Sequence, residues 1–452
     1  MKRISLLTLI AAFAMVPGIA RADISNMDIG GDMMMMFFWG DNLEDFNDSG
    51  TVQDEEREFF RTEAHLWFQA DLEDNVMARI SVEADRDWDG NDNNNDLDRA
   101  AAADLDVFLE EAYIQIANIY DTSLSIMAGR QFLNFGDNEN ADDFNGYWGG
   151  SFWFGDGIDS SPAELQDLGT WEVDPFDAIV LEWDLDTAII DVFYGAQNED
   201  TSGQDLDVQY YGINGSYIGW EGHQLDVYFL YDSLDFDKHP AGDLGEINDF
   251  LLGVRLAGDC IPDELSYKAE VAYHFGDIED SFGVFGLGTD PTQDGDIDGF
   301  GVEVGINYHP DMDYNPEIGF IYTWLEGDDN NPMDEDFEGF GAVFENKYYG
   351  QIANDFVNTN AHIFHLTAGA DLNEQWSLDS DWYYFLLDED DTFHLEGTLP
   401  GLAKNDDLGF EWDLQLNYTF NESVGAFGGA GVFFPGDAID DLTMGCDDEA
   451  YF

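Results

Sequence analysis

The chain has 452 residues and a formal net charge of −84, because 98 Asp and Glu side chains stand against 14 Lys and Arg. This acidic excess argues against nucleic acid and other polyanions as partners, and it favours cations or a saline environment. The hydrophobic content of 44% and the aromatic content of 15% exclude a disordered acidic chain. Two cysteines, Cys260 and Cys446, are too few for a disulfide framework.

Residues 1–22 have the features of a secretory signal peptide. Lys2 and Arg3 precede an apolar run at residues 4–16, and Ala20-Arg21-Ala22 provides a small-residue cleavage site. That run is too short to span a bilayer as a helix, and no later run of about 18 apolar residues follows. The sequence therefore predicts Sec-dependent export, and a membrane form of residues 23–452 would have to be a β-barrel.

The clearest strand signal covers residues 62–85, TEAHLWFQADLEDNVMARISVEAD. Apolar and polar residues alternate on either side of a short turn at residues 73–75, so each predicted strand has one apolar and one polar face. A soluble sandwich would bury the apolar face against a second sheet. A membrane barrel would turn it to lipid and keep the polar face around a lumen.

Similar hairpins recur to the end of the chain. We predict 17 strands, centred near residues 34, 64, 81, 111, 128, 181, 193, 211, 228, 253, 270, 303, 320, 364, 381, 413 and 429. Tight turns alternate with long acidic connections at residues 87–104, 134–175, 233–248, 276–295, 326–356 and 388–406. Short turns on one rim and long loops on the other are typical of outer-membrane barrels.

Strand parity adds an expectation about the C-terminal residues. Bacterial single-chain barrels have even strand numbers, and 17 is odd. We therefore expect residues 435–452 to form one more external loop, followed by an eighteenth strand that is incomplete or very short. The predicted fold is all-β: a transmembrane antiparallel up-and-down β-barrel of about 18 strands, with long acidic extracellular loops.

Several stretches together resemble the alginate-export family of outer-membrane porins. They include RTEAHLWFQADLEDNVMARISVE, EEAYIQI with MAGRQFLNFGD, AIVLEWDLDTAIIDVFYGAQ, FIYTWLEGDDNNPMDEDFEGFGAVFENKYYGQ and LGFEWDLQLNYTF. Their order and spacing carry the resemblance, which spans nearly all of residues 23–452. It implies an 18-stranded barrel in the outer membrane that passes uronate polymers or smaller solutes without a bound cofactor.

The predicted lumen differs from that of the family's alginate exporters, which attract a polyanion with arginine. We predict these residues to line the lumen: Glu63, His65, Arg79, Glu83, Glu111, Glu182, Asp184, Asp191, Asp226, Arg255, Lys268, Glu270, Glu303, Asp379, Asp381, Glu411 and Asp413. Arg130 would be a further basic pore contact only if a β-bulge turned it inward, since strict alternation places it outward. A polyuronate would meet mostly repulsion in such a lumen.

Two acidic segments have the spacing of a calcium loop. The first would use Asp85, Asp87, Asp89, Asn91 and Asp96 as ligands, and residues 294–299 repeat its first half. The alternative for both is a solvated acidic loop without an ion. Apart from calcium, no cofactor is expected.

Two further expectations concern the rims of the barrel. The connection at residues 134–175 either folds inward and narrows the pore or forms an external flap. Cys260 is predicted on the short-turn rim and Cys446 on the long-loop rim, so no disulfide should join them, because the hydrocarbon layer between the rims is about 25 Å tall.

The sequence thus predicts an outer-membrane porin for passive diffusion of cations and small or neutral solutes. One alternative is export of a polysaccharide such as alginate, and another is a calcium-dependent surface or structural barrel protein. The inward carboxylates could form glycosidase-like pairs, but strands that alternate throughout a barrel favour a lumen lining instead. Eight scattered histidines and the lack of a G-x-S-x-G motif leave nucleophilic catalysis unsupported, so the protein is not expected to be an enzyme. Expected partners are the lipid bilayer, the transported solutes and the barrel-assembly machinery.

Overall fold

The structure, a computed structural model, describes residues 26–41, 57–73, 75–87, 106–133, 175–197, 207–235, 246–262, 264–279, 294–328, 336–340, 349–353, 357, 359–389, 404–442 and 449–452. The strands in this part of the chain are β1 (Asn26–Gly40), β2 (Arg57–Glu73), β3 (Val76–Asp87), β4 (Asp106–Ile116), β5 (Leu124–Gln131), β6 (Phe176–Asp184), β7 (Ala188–Gln197), β8 (Asp207–Trp220), β9 (His223–Asp235), β10 (Glu246–Ile261), β11 (Leu265–Glu279), β12 (Gly295–Tyr308), β13 (Glu317–Leu325), β14 (Asp336–Phe337), β15 (Ala361–Asn373), β16 (Trp376–Leu387), β17 (Asp407–Asn421), β18 (Val424–Pro435) and β19 (Ala450–Tyr451). A 3-10 turn (Ile119–Asp121) and a short helix, α1 (Asp437–Leu442), lie in connections.

All the strands belong to one sheet in which chain neighbours pair antiparallel. The exception is β14, which pairs parallel with β12 while β13 pairs directly with β15. The sheet returns to its first strand through β19, which pairs with β18 and exchanges backbone hydrogen bonds of 2.9 and 3.0 Å between Tyr451 and Asp41. Leaving out β14, eighteen antiparallel strands form a nearly closed barrel. All 17 predicted strands are confirmed, and the eighteenth has only two residues.

Alternation along the strands gives the barrel an apolar exterior and a polar interior. On β10, Val254 is 46% exposed, whereas the next residue, Arg255, is only 2% exposed. On β11, Val271 is 48% exposed and Glu270 is 2% exposed. Side chains in a strand point alternately to the two faces, so the apolar rows face away from the protein and not toward a second sheet. This arrangement is the reverse of a soluble protein and suits a lipid surrounding.

Connection lengths alternate as the sequence predicts. The tight connections occur at residues 74–75, 117–123, 185–187, 221–222, 262–264, 309–316, 374–375 and 422–423. Some of them need left-handed backbone, as at Asp186 (φ 64°) and Gly222 (φ 74°), which Gly and Asp adopt more readily than most residues. The long connections all lie at the opposite strand ends. Among the described residues, no helix is long and apolar enough to cross a membrane.

Candidate functional site: the interior of the barrel

The pairing register decides which predicted lumen residues share the interior face. It places on that face Glu63, His65, Arg79, Glu83, Glu111, Glu182, Asp184, Asp191, Asp226, Arg255, Lys268, Glu270, Glu303, Asp379, Asp381, Glu411 and Asp413. Most are buried or half-buried because they pack against one another. Glu182 and Asp184, next to the tight β6–β7 connection, are exposed.

Each of the three predicted interior cations forms an ion pair with a carboxylate on a neighbouring strand. The pairs, with their N–O distances, are Arg79–Glu111 at 2.6 Å, Arg255–Asp226 at 3.0 Å and Lys268–Glu303 at 2.7 Å. The positive charge of these three groups is therefore already matched within the wall. Further interior carboxylates remain in excess over these three cations.

The Arg255–Asp226 pair is the most deeply buried of the three. The side chains are 2% and 0% exposed, and Nη1 of Arg255 donates to Oδ2 of Asp226. Glu270 lies directly across from Arg255 on β11 and accepts a 2.8 Å hydrogen bond from the hydroxyl of Tyr228. Such desolvated pairs resist rearrangement, since removal of one partner leaves a buried charge.

Interior histidines also lie against carboxylates. The imidazole of His274 is 2.9 Å from Asp249, and that of His365 is 2.8 Å from Asp381. His365 also stacks on the ring of Tyr383, with a centroid distance of 4.1 Å.

His65 differs from the other interior histidines, because carboxylates approach both of its ring nitrogens. Its Nε2 is 2.9 Å from Glu63 and 3.7 Å from Glu83, while its Nδ1 is 3.6 Å from Glu110. Strict alternation would place Glu110 outward, so the sequence prediction missed it. A bulge between β3 and β4, where Ser81 pairs with Glu111 and Val82 with Leu109, brings Glu110 to this face.

Arg130 lies on the outer face. It pairs in register with Ala112 and Asp177, on the face that carries Ile80, and its Nε donates a 3.0 Å hydrogen bond to the carbonyl of Leu109. No bulge turns it inward, so the structure does not support Arg130 as a basic pore contact.

Part of the long connection between β13 and β15 is packed inside the barrel. The buried members of this connection are Phe340, Tyr349, Ile352, Ala353 and Val357. The Phe340 ring lies 4.8 Å from the ring of His274, and a Cβ added to Gly301 would collide with it. The sequence prediction named residues 134–175 as the candidate constriction, whereas the described inward segment belongs to another loop. Aromatic residues within an acidic loop were the available signal.

Glu411 holds this inward segment to the wall. One of its carboxyl oxygens accepts hydrogen bonds from the backbone N–H groups of Gln351 (2.6 Å) and Ile352 (2.8 Å), and the other accepts one from Ala353 (2.8 Å). Gly350 precedes these amides with φ 94°, and a Cβ there would lie 2.6 Å from Oε2 of Glu411. Only glycine fits that close approach without strain.

An acidic group lies where this connection leaves β13. Glu326 accepts a 2.7 Å hydrogen bond from the backbone N–H of Phe300. Burial raises the pKa of the Glu326 carboxyl group, and the nearby carboxylates of Asp388 and Asp298 raise it further. Repulsion at this rim therefore grows as the pH rises.

Several sequence predictions concern residues that the structure does not describe. Asp85 and Asp87 lie at the end of β3, but Asp89, Asn91 and Asp96 fall outside the described residues, as do residues 134–174 and Cys446. Cys260 is an exposed free thiol. The second calcium-like segment is not a loop, because Asp296 and Asp298 lie within β12.

A barrel with an apolar exterior, a charged interior and one rim of long connections is the architecture of outer-membrane channels. The sequence profile of the alginate export family matches residues 39–447. The chain belongs to the alginate export family. A comparison with curated proteins finds no match.

Solved structures resemble this alginate export family protein in fold. OccAB1 of Acinetobacter baumannii has a TM-score of 0.56 at 11% identity, with 96% of each chain covered. OccK9 (OpdG) and OpdQ of Pseudomonas aeruginosa have TM-scores of 0.56 and 0.53 at 12% identity, with 95% of this chain and 96% of each of those chains covered. Identities this low establish the fold alone. Together with the family match, they identify an outer-membrane β-barrel that serves as a porin or an export channel.

Proposed function

We propose that this alginate export family protein is an outer-membrane channel for passive diffusion of cations and small or neutral solutes. The observation that carries the proposal is the charge of the interior wall. Of the charged positions predicted to line it, thirteen are carboxylic acids and three are basic, and each of the three basic groups is ion-paired.

Electrostatics favours cations in such a lumen. A like-charge contact at 4 Å costs about 4 kcal/mol at an effective dielectric constant of about 20. A uronate polymer would meet this repulsion repeatedly as it moved, whereas a cation would be attracted throughout. Small neutral solutes would be limited by the width that the inward segment leaves.

Reversal potentials in a planar bilayer test the proposal. In a tenfold KCl gradient the wild-type protein should have a reversal potential of the sign that marks cation selectivity. Asp379→Asn/Asp381→Asn, which removes two carboxylates from the interior face of β16, should lower the cation preference. The matched control is Asp311→Asn/Asp313→Asn, which removes two carboxylates from the exposed β12–β13 connection and should change selectivity less. Anion selectivity of the wild type would overturn the proposal.

Export of an acidic polysaccharide is the second candidate, and the family match favours it. It requires basic contacts along the path, so it predicts anion selectivity and block of the ion current by added oligouronates. A channel that is cation-selective and insensitive to oligouronates would argue against it.

The remaining expectations stand as proposals. Residues 1–22 would be removed as a signal peptide, and the barrel would reach the membrane through the barrel-assembly machinery. Transport rather than catalysis is proposed, since the interior carboxylates are spread over many strands, as expected for the lining of a lumen. A calcium-dependent structural barrel would bind calcium through the segment that begins at Asp85 and would conduct no ions.

A further inference from the structure

The carboxylates around His65 form a compact set of metal-ligating atoms in the barrel wall. One ligand atom from each of Glu63, His65 and Glu83 lies within 4.8 Å of the other two. This separation is small enough for one ion to contact all three after minor side-chain rotation. Among the described residues, no other group of three such side chains meets this criterion.

The register of three strands builds this arrangement. His65 on β2 pairs with Asp32 on β1 and with Glu83 on β3, and Glu63 precedes it by two positions on the same interior face. The side chains therefore converge because of backbone pairing, and the geometry does not depend on a loop. Sites built on strands hold their ligands more rigidly than sites on loops.

The second ring nitrogen of His65 supplies an independent observation. Its Nδ1 lies 3.6 Å from the Glu110 carboxylate, which reaches this face only because of the β3–β4 bulge. Metal-ligating histidines commonly direct their other ring nitrogen at a carboxylate, which orients the ring and increases its basicity. Nε2 would then face the metal together with Glu63 and Glu83.

The charge of the cluster calls for a cation. Arg79 and Arg61 lie on the same interior face as the cluster. Arg79 is bonded to Glu111 at 2.6 Å and stacks over the ring of Trp67 at 5.1 Å, and the buried Arg61, two positions from Glu63, lies over the ring of Phe59 at 5.6 Å. Glu63, Glu83 and Glu110 thus surround a single imidazole. A divalent ion neutralises two of these charges, whereas a proton on His65 neutralises one.

We propose that His65, Glu63 and Glu83 bind a divalent transition-metal ion of the Zn²⁺ type in the lumen wall, with Glu110 orienting the imidazole. One nitrogen and two carboxylate ligands suit Zn²⁺, with water in the remaining position. Mg²⁺ and Ca²⁺ prefer all-oxygen sites, so they should compete poorly. The site does not depend on which solute the channel carries.

Isothermal titration calorimetry with Zn²⁺ tests the site on the full-length protein in detergent. Excess Ca²⁺ in the buffer occupies the many carboxylate-only positions and leaves an imidazole-containing site available. The wild type should bind one equivalent of Zn²⁺ that Ca²⁺ does not displace. His65→Gln and Glu83→Gln should abolish that equivalent, and Glu110→Gln should weaken it about tenfold or more.

His365→Gln is the matched control, because His365 is also an interior histidine and contacts one carboxylate, Asp381. It should leave the Zn²⁺ equivalent unchanged. Heat-modifiable migration on gels shows whether each variant is folded, and Glu63→Gln replaces any variant that is not. The proposal is overturned if the wild type binds no Zn²⁺ in excess Ca²⁺, or if folded His65→Gln binds it as the wild type does.

Discussion

Glu411→Gln should release the inward segment at residues 349–353 from the barrel wall. Glu411 is 0% exposed and accepts three backbone hydrogen bonds through its two carboxyl oxygens. Glutamine is nearly isosteric but has one oxygen and one NH2 group. If its oxygen keeps the bonds from Gln351 and Ile352, its NH2 group faces the N–H of Ala353, and two donors meet.

The expected cost follows from the geometry. A buried donor that loses its acceptor costs about 1–3 kcal/mol. This corresponds to roughly a 5- to 150-fold increase in the population of the detached segment. The rest of the barrel should be unaffected, because local opening of a loop is separate from unfolding of the sheet.

Single-channel recording in planar bilayers measures the effect. Glu411→Gln should show more frequent excursions to a higher conductance, because the detached segment no longer narrows the lumen. Glu182→Gln is the control. It also removes one carboxylate from the interior face, but Glu182 is an exposed residue of β6 and does not accept the hydrogen bonds that hold the segment. Any change common to both variants is an effect of charge alone.

Identical current traces for Glu411→Gln and wild type would refute the reasoning, provided that the variant is folded. In that case the three amides would contribute nothing to the position of the segment, or the segment would not restrict the ion path.

Three further changes test other parts of the structure. Gly301→Val should displace Phe340 from its contact with the wall and increase conductance fluctuations in the same assay; unchanged traces would show that the Phe340 contact does not hold the segment. Asp226→Asn should lower the free energy of unfolding in urea by about 3 kcal/mol, because Arg255 loses its buried ion pair, and Asp226→Asn/Arg255→Gln should recover part of the loss. The pKa of Glu326 is raised in the folded state, so ionisation of its carboxyl group opposes folding of the rim. This free-energy cost is absent at low pH, where the group is protonated, and appears as the pH rises through the folded-state pKa. Glu326→Gln should therefore increase protease resistance near the rim at pH 8 relative to wild type, with a smaller difference at pH 4.

Sequence alternation predicted the barrel and most of its interior residues. The period of two follows from strand geometry. As long as a strand keeps that period, all its apolar side chains share one face and its polar side chains share the other. Val254 and Arg255 are adjacent residues with opposite environments. Alternation along the chain distinguishes them without any knowledge of which residues they contact in space. Strand parity likewise predicted the short closing strand Ala450–Tyr451.

Other features were decided only by tertiary structure, because they depend on contacts between residues far apart in the chain. A one-residue bulge brings Glu110 inward, and alternation within β4 cannot show it because the bulge exists relative to β3. Glu411 meets Ile352 across 59 positions, and no local pattern encodes that approach. Local periodicity determines which face a side chain occupies, whereas register and loop packing determine which charges meet on that face.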